Sequence, residues 1–384
     1  MPESLNRLPT LSQLAQSRDN NFNLIRFVAA LTVLVDHSFA LVAGTSKAEP
    51  FRESLGIALG IMAVDAFFIT SGFLVTASLL ARKSLLAFVW ARILRIYPAL
   101  IVMVLLCVFG LGLWFTSLSP ADYLAHPATR QFALQNSTLV TGVVFSLPGV
   151  FSAVPYRRFV NGSIWTMPIE MYMYIALALI WLVLAWFRSW RIRVFGAATV
   201  VIAVTMLGAH LFNHFRGQPD DALIRLSYMF FTGAAFFVMR DRVRLSGAVF
   251  SAAAAVLLLS IVDKNLFFAA YDLSVPYILL WLAYIPAGAI RRFNRGGDYS
   301  YGIYIYAFPI QQTIMATVAG MSVLGLIAYS TAITLLFAVL SWHCIEKHAL
   351  RLKLDPAGAS HAPDTAQRPV GVGKPSAPGP FEKL

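Results

Sequence analysis

The sequence predicts an all-α integral membrane protein of about ten transmembrane helices, both termini cytoplasmic, with one long outside loop between spans 3 and 4. Three observations predict it. The 384 residues are 58% hydrophobic and only 12% charged, whereas soluble domains are nearer half apolar and a quarter charged. Ten apolar runs follow one another along the chain, and about 20 residues of helix suffice to cross a hydrocarbon core of about 30 Å. Lys and Arg collect in alternate connections, the pattern that marks cytoplasmic loops.

Residues 1–22 are polar and mixed in charge, with no cleavable apolar core. They are expected to form a cytoplasmic segment, the first apolar run staying in place as a signal anchor. Spans are expected near 24–43, 57–80, 97–116, 164–187, 194–212, 224–239, 246–262, 273–290, 300–319 and 323–343. With the N-terminus inside, four inside loops hold thirteen Lys and Arg against seven in five outside loops. The net charge of +12 is therefore a topology signal and argues against nucleic acid as a partner. Within the outside loop 117–163, the apolar stretch LVTGVVFSLPGVF at 139–151 is short for a span and broken by Gly and Pro. It reads as re-entrant or interfacial. The Pro-, Ala- and Gly-rich segment 354–384 is expected to be a disordered cytoplasmic tail. Cys107 and Cys344 lie in apolar runs and read as inert packing residues.

The first apolar run, NLIRFVAALTVLVDHSFAL at 23–41, carries Arg26 and His37 eleven residues apart. At about 100° per residue, eleven steps close three turns to within roughly 20°, so both share one helix face about 16 Å apart along the axis. Ionisable groups inside membrane helices are costly and by default mark function. Arg26 falls at the inner edge and His37 in the outer third of the bilayer. Asp65 in the second run and Glu170 in the fourth reach depths of roughly 10–14 Å below the same outer surface. An imidazole beside a carboxylate makes a general base, the acid fixing its tautomer and stabilising the imidazolium. The plainer alternative is a His bonded between helices as packing glue. Asp36 points about 100° away from His37 and reads as structural. Arg92 and Arg95, at i and i+3, share a helix side and suit forked recognition of phosphate, although any cytoplasmic loop is expected to be basic.

Taken together, these residues resemble the acyltransferase-3 family of bacterial membrane acyltransferases, which O-acylate cell-surface glycans and related acceptors. Four segments carry the resemblance: Arg26 and His37 with ten residues between them; DAFFITSGFL at 65–74; Arg92-Ile-Leu-Arg95 with the following Ile-Tyr-Pro; and GSIWTMPIEMYMY at 162–174. SYGIYIYAFPIQQ at 300–312 and IEKHALRLK at 345–353 are weaker echoes. The resemblance implies an acyltransferase-3-like domain over 23–353, ten spans, a cytoplasmic acyl-CoA donor and an acceptor at the outer face of the inner membrane. It further implies His37 as catalytic base, Arg26, Arg92 and Arg95 near CoA, and Glu170 on the acceptor side. One departure is Ala307, where many members have a His, so no second imidazole is assigned there.

The expected reaction moves an acetyl or other short acyl group from acetyl-CoA or another acyl-CoA to a hydroxyl of a cell-surface or lipid-linked glycan. His37 would deprotonate that hydroxyl, with Asp65 or Glu170 orienting the ring. Ser163 and Trp165 are expected to contact the acceptor, Trp165 being equally readable as an interfacial aromatic. No metal is expected. An acyl-enzyme on Ser71 is the less favoured route. The rival from another class is a membrane exporter of a glycan or lipid intermediate. Against it stand the lack of an internal repeat and the concentration of cations at the inner edge instead of the midplane. A non-catalytic subunit is a third reading.

Overall fold

The computed structural model describes residues 8–17, 19–82 and 84–354. The segment expected to be a disordered tail therefore lies, but for Leu354, outside the described residues. Ten long helices account for the ten predicted segments: α1 Phe22–Ala43, α2 Leu59–Ala81, α3 Leu85–Phe115, α4 Ser163–Trp186, α5 Arg191–Phe215, α6 Ala222–Val238, α7 Gly247–Val262, α8 Lys264–Tyr284, α9 Ser300–Thr317 and α10 Val323–Arg351. Seven of them are long and apolar enough to cross a bilayer. α6 and α7 are shorter apolar helices, and α9 carries three tyrosines and two glutamines among its 18 residues. No β-strand occurs among the described residues, only an isolated bridge between Thr10 and Arg244. The chain is a multi-pass membrane protein.

The start of α3, both ends of α8 and the end of α10, at Arg351 and not near 343, differ from the hydropathy reading. The third helix begins at Leu85, not near 97, with the Ser84 hydroxyl capping the Ala87 N–H at 3.4 Å. Arg92 and Arg95 depress the local hydropathy, yet both are largely enclosed and the helix runs through them. The eighth begins at Lys264, not near 273. Asp263 caps the N–H groups of Asn265 and Leu266, and the helix stops at Tyr284, two residues before Pro286. Its polar first turn and the buried Asp272 hide that start from an apolar window.

The long connection between α3 and α4 is folded. Pro120–Ala125 and Pro127–Thr138 are helices, whereas 139–151 contains none. Asn136 grips that stretch with both ends of its amide. Its Nδ2 donates to the Val144 carbonyl and its Oδ1 accepts from the Val144 N–H, each at 2.8 Å. Leu147, Val150 and Phe151 pack into the main core, and the Val160 N–H donates to the Phe145 carbonyl at 2.6 Å.

α2 is the most enclosed of the spanning helices. It crosses α6 at a pair of glycines: a Cβ at Gly72 would overlap the carbonyl oxygen of Phe230, and one at Gly233 would overlap that of Ile69. Small residues let two membrane helices press backbone to backbone, where van der Waals packing takes the place of hydrophobic drive. On another face of α2, the carboxyl group of Asp36 of α1 lies against Gly60 in the first turn. A Cβ at Gly60 would overlap that carboxyl, so the glycine leaves room for it. At the opposite end, Leu11 and Ser12 donate their N–H groups to the carbonyls of Val243 and Arg240, and Asn21 bonds the Leu282 and Pro286 carbonyls. These contacts place the N-terminal segment on the same side as the connections after α6 and α8.

Candidate active site

His37 sits on α1 facing α4 and α9. Its Nδ1 lies 3.5 Å from the Ser163 hydroxyl, and its ring meets the Phe308 ring edge-on at 5.2 Å between centroids. The Gly162-Ser163 pair makes both contacts possible: a Cβ at Gly162 would approach the Phe308 ring to 2.7 Å, while Ser163 supplies the hydroxyl. Ser163 is itself fixed. Its N–H donates to Asn161 Oδ1 at 3.1 Å, and its carbonyl accepts from the Tyr304 hydroxyl at 2.6 Å, which also bonds the Thr166 hydroxyl at 2.6 Å. Asn161 in turn donates to the Ile305 carbonyl at 2.9 Å.

Beneath this network lies a narrow cavity of about 40 Å³, lined by Arg26, Phe67, Ser71, Thr166, Glu170 and Tyr304 among others. His37 does not line this cavity; contacts through Ser163 connect the two. Arg26 borders the cavity at one end; Thr166 and Tyr304 border it at the other and bond Ser163, which meets His37. Glu170 accepts a hydrogen bond from the Tyr174 hydroxyl one turn along α4.

The arginines divide into two kinds. Arg95 is saturated: Nη2 lies 2.6 Å from Asp298 and Nη1 3.1 Å from Glu346. Asp298 also accepts from the Ser300 N–H at 3.2 Å, and Ser341 donates to Glu346 at 3.0 Å. Burial by itself would raise the pKa of Asp298, but Arg95, then Arg26 and Ser300, outweigh it and hold the carboxyl down at about 2. Asp298 therefore stays ionised at any physiological pH. Arg26 is only 3.8 Å from Asp298 and lies 5.7 Å above the Phe67 ring, its Nε without a hydrogen bond. Arg92 lies 5.8 Å above the Tyr174 ring, and its Nε is likewise unbonded. Guanidinium groups enclosed by aromatic faces and short of acceptors are ready for a multiply charged anion. Arg26→Ala and Arg92→Ala are expected to weaken use of an anionic substrate at least tenfold with the protein still accumulating, whereas Arg95→Ala, which strands Asp298 and Glu346, is expected to lower thermal stability in detergent. Steady-state kinetics beside a melting curve for each variant separates the two kinds.

Asp65 is not brought to His37. Its carboxylate bonds Arg225 Nη1 at 2.5 Å and the Tyr271 hydroxyl at 3.1 Å, and it is fully buried. The expectation that Asp65 or Glu170 orients the imidazole is corrected accordingly: among the described residues the hydrogen-bonding group beside His37 is Ser163. The reason is azimuth. Gly60 faces α1, and Asp65, five residues on, is turned about 140° from it toward α6 and α8. Trp165 is half-buried against the main core, Cys107 is buried, and Cys344 is exposed. Sequence reasoning missed Thr166, Tyr304, Asp298 and Glu346. The available signal was polar residues held inside apolar runs, as at Tyr301 and Tyr304. No group of three or more His, Cys, Asp or Glu side chains among the described residues is arranged to hold a metal ion.

Fold and site define a multi-pass membrane protein with a cationic end and, on the same helix, a half-buried histidine. Residues 19–344 match the family model of the acyltransferase-3 acyltransferase domain, and the chain belongs to that family; it is an acyltransferase. It is 27% identical over 344 residues to an O-acetyl transferase of Shigella phage Sf6, covering 87% of this chain and 96% of that protein. It is 26% identical over 361 residues to nodulation protein 10 of Rhizobium leguminosarum bv. viciae, covering 87% of this chain and 94% of that protein. No solved structure matches the chain significantly.

Proposed function

We propose that the protein is a bacterial inner-membrane O-acetyltransferase, crossing the bilayer ten times with both termini cytoplasmic. It takes an acetyl or other short acyl group from cytoplasmic acyl-CoA and places it on a hydroxyl of a cell-surface or lipid-linked glycan. The observation that carries this reading is the placement of Arg26 and His37 on one helix, with a narrow cavity beside Arg26 and the Ser163–Thr166 turn between that cavity and His37. Arg26 and Arg92 hold the CoA phosphates at the inner end, and the pantetheine arm reaches the thioester outward along the cavity.

His37 acts as general base. With Nδ1–H turned to the Ser163 hydroxyl, Nε2 keeps its lone pair for the acceptor. The alcohol oxygen attacks the thioester carbonyl as its proton passes to Nε2. The tetrahedral intermediate then expels the thiolate, which recovers the proton from the imidazolium, so the ester and free CoA leave with atoms and charge balanced. Ser163 positions the ring, and Glu170 and Trp165 bind acceptor hydroxyls and sugar faces. Asp65 acts at a distance, by holding α2 to α6 and α8.

Membrane vesicles carrying the protein are expected to move label from [¹⁴C]acetyl-CoA onto glycan, while vesicles lacking it do not. Label that stays in CoA while unmodified glycan crosses the membrane would replace this reading with export.

A further inference from the structure

A second cavity lies outside this site. It is a groove of about 460 Å³ bordered by Leu106, Gly110 and Trp114 of α3, Ile310 and Thr313 of α9 and Phe337 of α10, and no charged side chain lines it. A π-helical turn at Leu106–Gly112 shapes its wall. The turn is held by the buried Tyr123, whose hydroxyl donates to the Val108 carbonyl at 3.0 Å, and Gly110 leaves open space where a Cβ would stand. Such turns within α-helices recur at functional sites.

Two features say what fills the groove. From Met103 to Phe115 the helix rises at most about 18 Å, its π-helical turn shortening it toward half of a hydrocarbon core of about 30 Å, so the groove is about one leaflet deep, on the His37 side. It also adjoins the reacting centre. Met103, at its deep end, lies 3.4 Å from Asn161 Nδ2, and Asn161 holds the Ser163 N–H whose hydroxyl faces His37. A membrane surface filled by bulk lipid alone has no need of that connection.

We propose that this groove binds the hydrocarbon chain of a membrane-anchored glycan acceptor, holding its sugar headgroup at the outer rim beside the His37 site. The proposal rests on the acyl-transfer reading and adds the acceptor class: an amphiphile, whose lipid is part of what the enzyme recognises.

The test uses the full-length protein in membrane vesicles with labelled acetyl-CoA. Two acceptors are compared: lipid-linked glycan extracted from the host, and the same glycan freed from its lipid by mild acid. Gly110→Leu fills the groove from a position with room for a side chain, and Gly110→Ala is the control for the backbone. Gly110→Leu is expected to lower kcat/KM for the anchored glycan at least tenfold relative to the released glycan, chiefly through KM, with Gly110→Ala near wild type. An equal effect on the two acceptors, or none on either, overturns the proposal and leaves bulk phospholipid in the groove while acyl transfer stands. Failure of the wild type to label either acceptor removes both readings.

Discussion

Replacing His37 by Ala is expected to abolish detectable acyl transfer while leaving the amount of protein in the membrane unchanged. A positioned general base contributes about 10²–10⁴-fold, so what remains falls near the background of an ordinary assay. Stability is spared because the imidazole has one long hydrogen bond at 3.5 Å and an edge contact with Phe308, and its loss strands no buried charge. His37→Gln fills most of the space but cannot accept and return the proton, so it should be as inactive as Ala. Ser163→Ala should lose far less, because it frees the ring without removing the base. Normal acylation by His37→Ala would end the base assignment whatever else the protein does.

Asp65→Ala carries the second large effect, and its signature is the opposite. Arg225 is 5% exposed, and its Nη1 would lose a 2.5 Å carboxylate partner. Removing one member of a buried pair typically costs about 3–5 kcal/mol, against a total stability of about 5–15 kcal/mol for a typical domain. The partial pairing of Arg225 Nε with the half-exposed Asp220, at 3.1 Å, softens this without replacing it. The variant should accumulate poorly and melt early, and Asp65→Leu combined with Arg225→Met should regain much of the loss by removing both charges. Normal accumulation with abolished transfer would instead return Asp65 to the reacting centre.

These two outcomes reflect what a linear chain reveals. The pairing of Arg26 with His37 is legible because both lie on one helix, where spacing fixes rise and rotation together. Asp65 is legible only in depth. Its distance from the surface can be counted, but which neighbour its side chain meets depends on how α2 is rotated against α1, and no residue count supplies that. The start of α3 at Leu85 was hidden for a related reason. Hydropathy scores Arg92 and Arg95 as solvent-facing, although tertiary partners (two carboxylates for Arg95, the Tyr174 ring beneath Arg92) let the helix keep them inside. Those carboxylates, Asp298 and Glu346, come from opposite ends of a span of chain almost fifty residues long. The loop at 139–151 was seen as unusual from its Gly and Pro, but its fold rests on Asn136, whose amide reaches backbone eight residues away.

The glycine crossing of α2 and α6 limits how the enzyme can move. With each backbone seated against a carbonyl of the other, a slip of one residue would drive the flanking side chains Ser71 and Phe73, or Thr232 and Ala234, into main chain. Close-packed interiors resist such shear. Turnover is therefore expected to proceed through a stationary scaffold, with no ratcheting of one helix past the other.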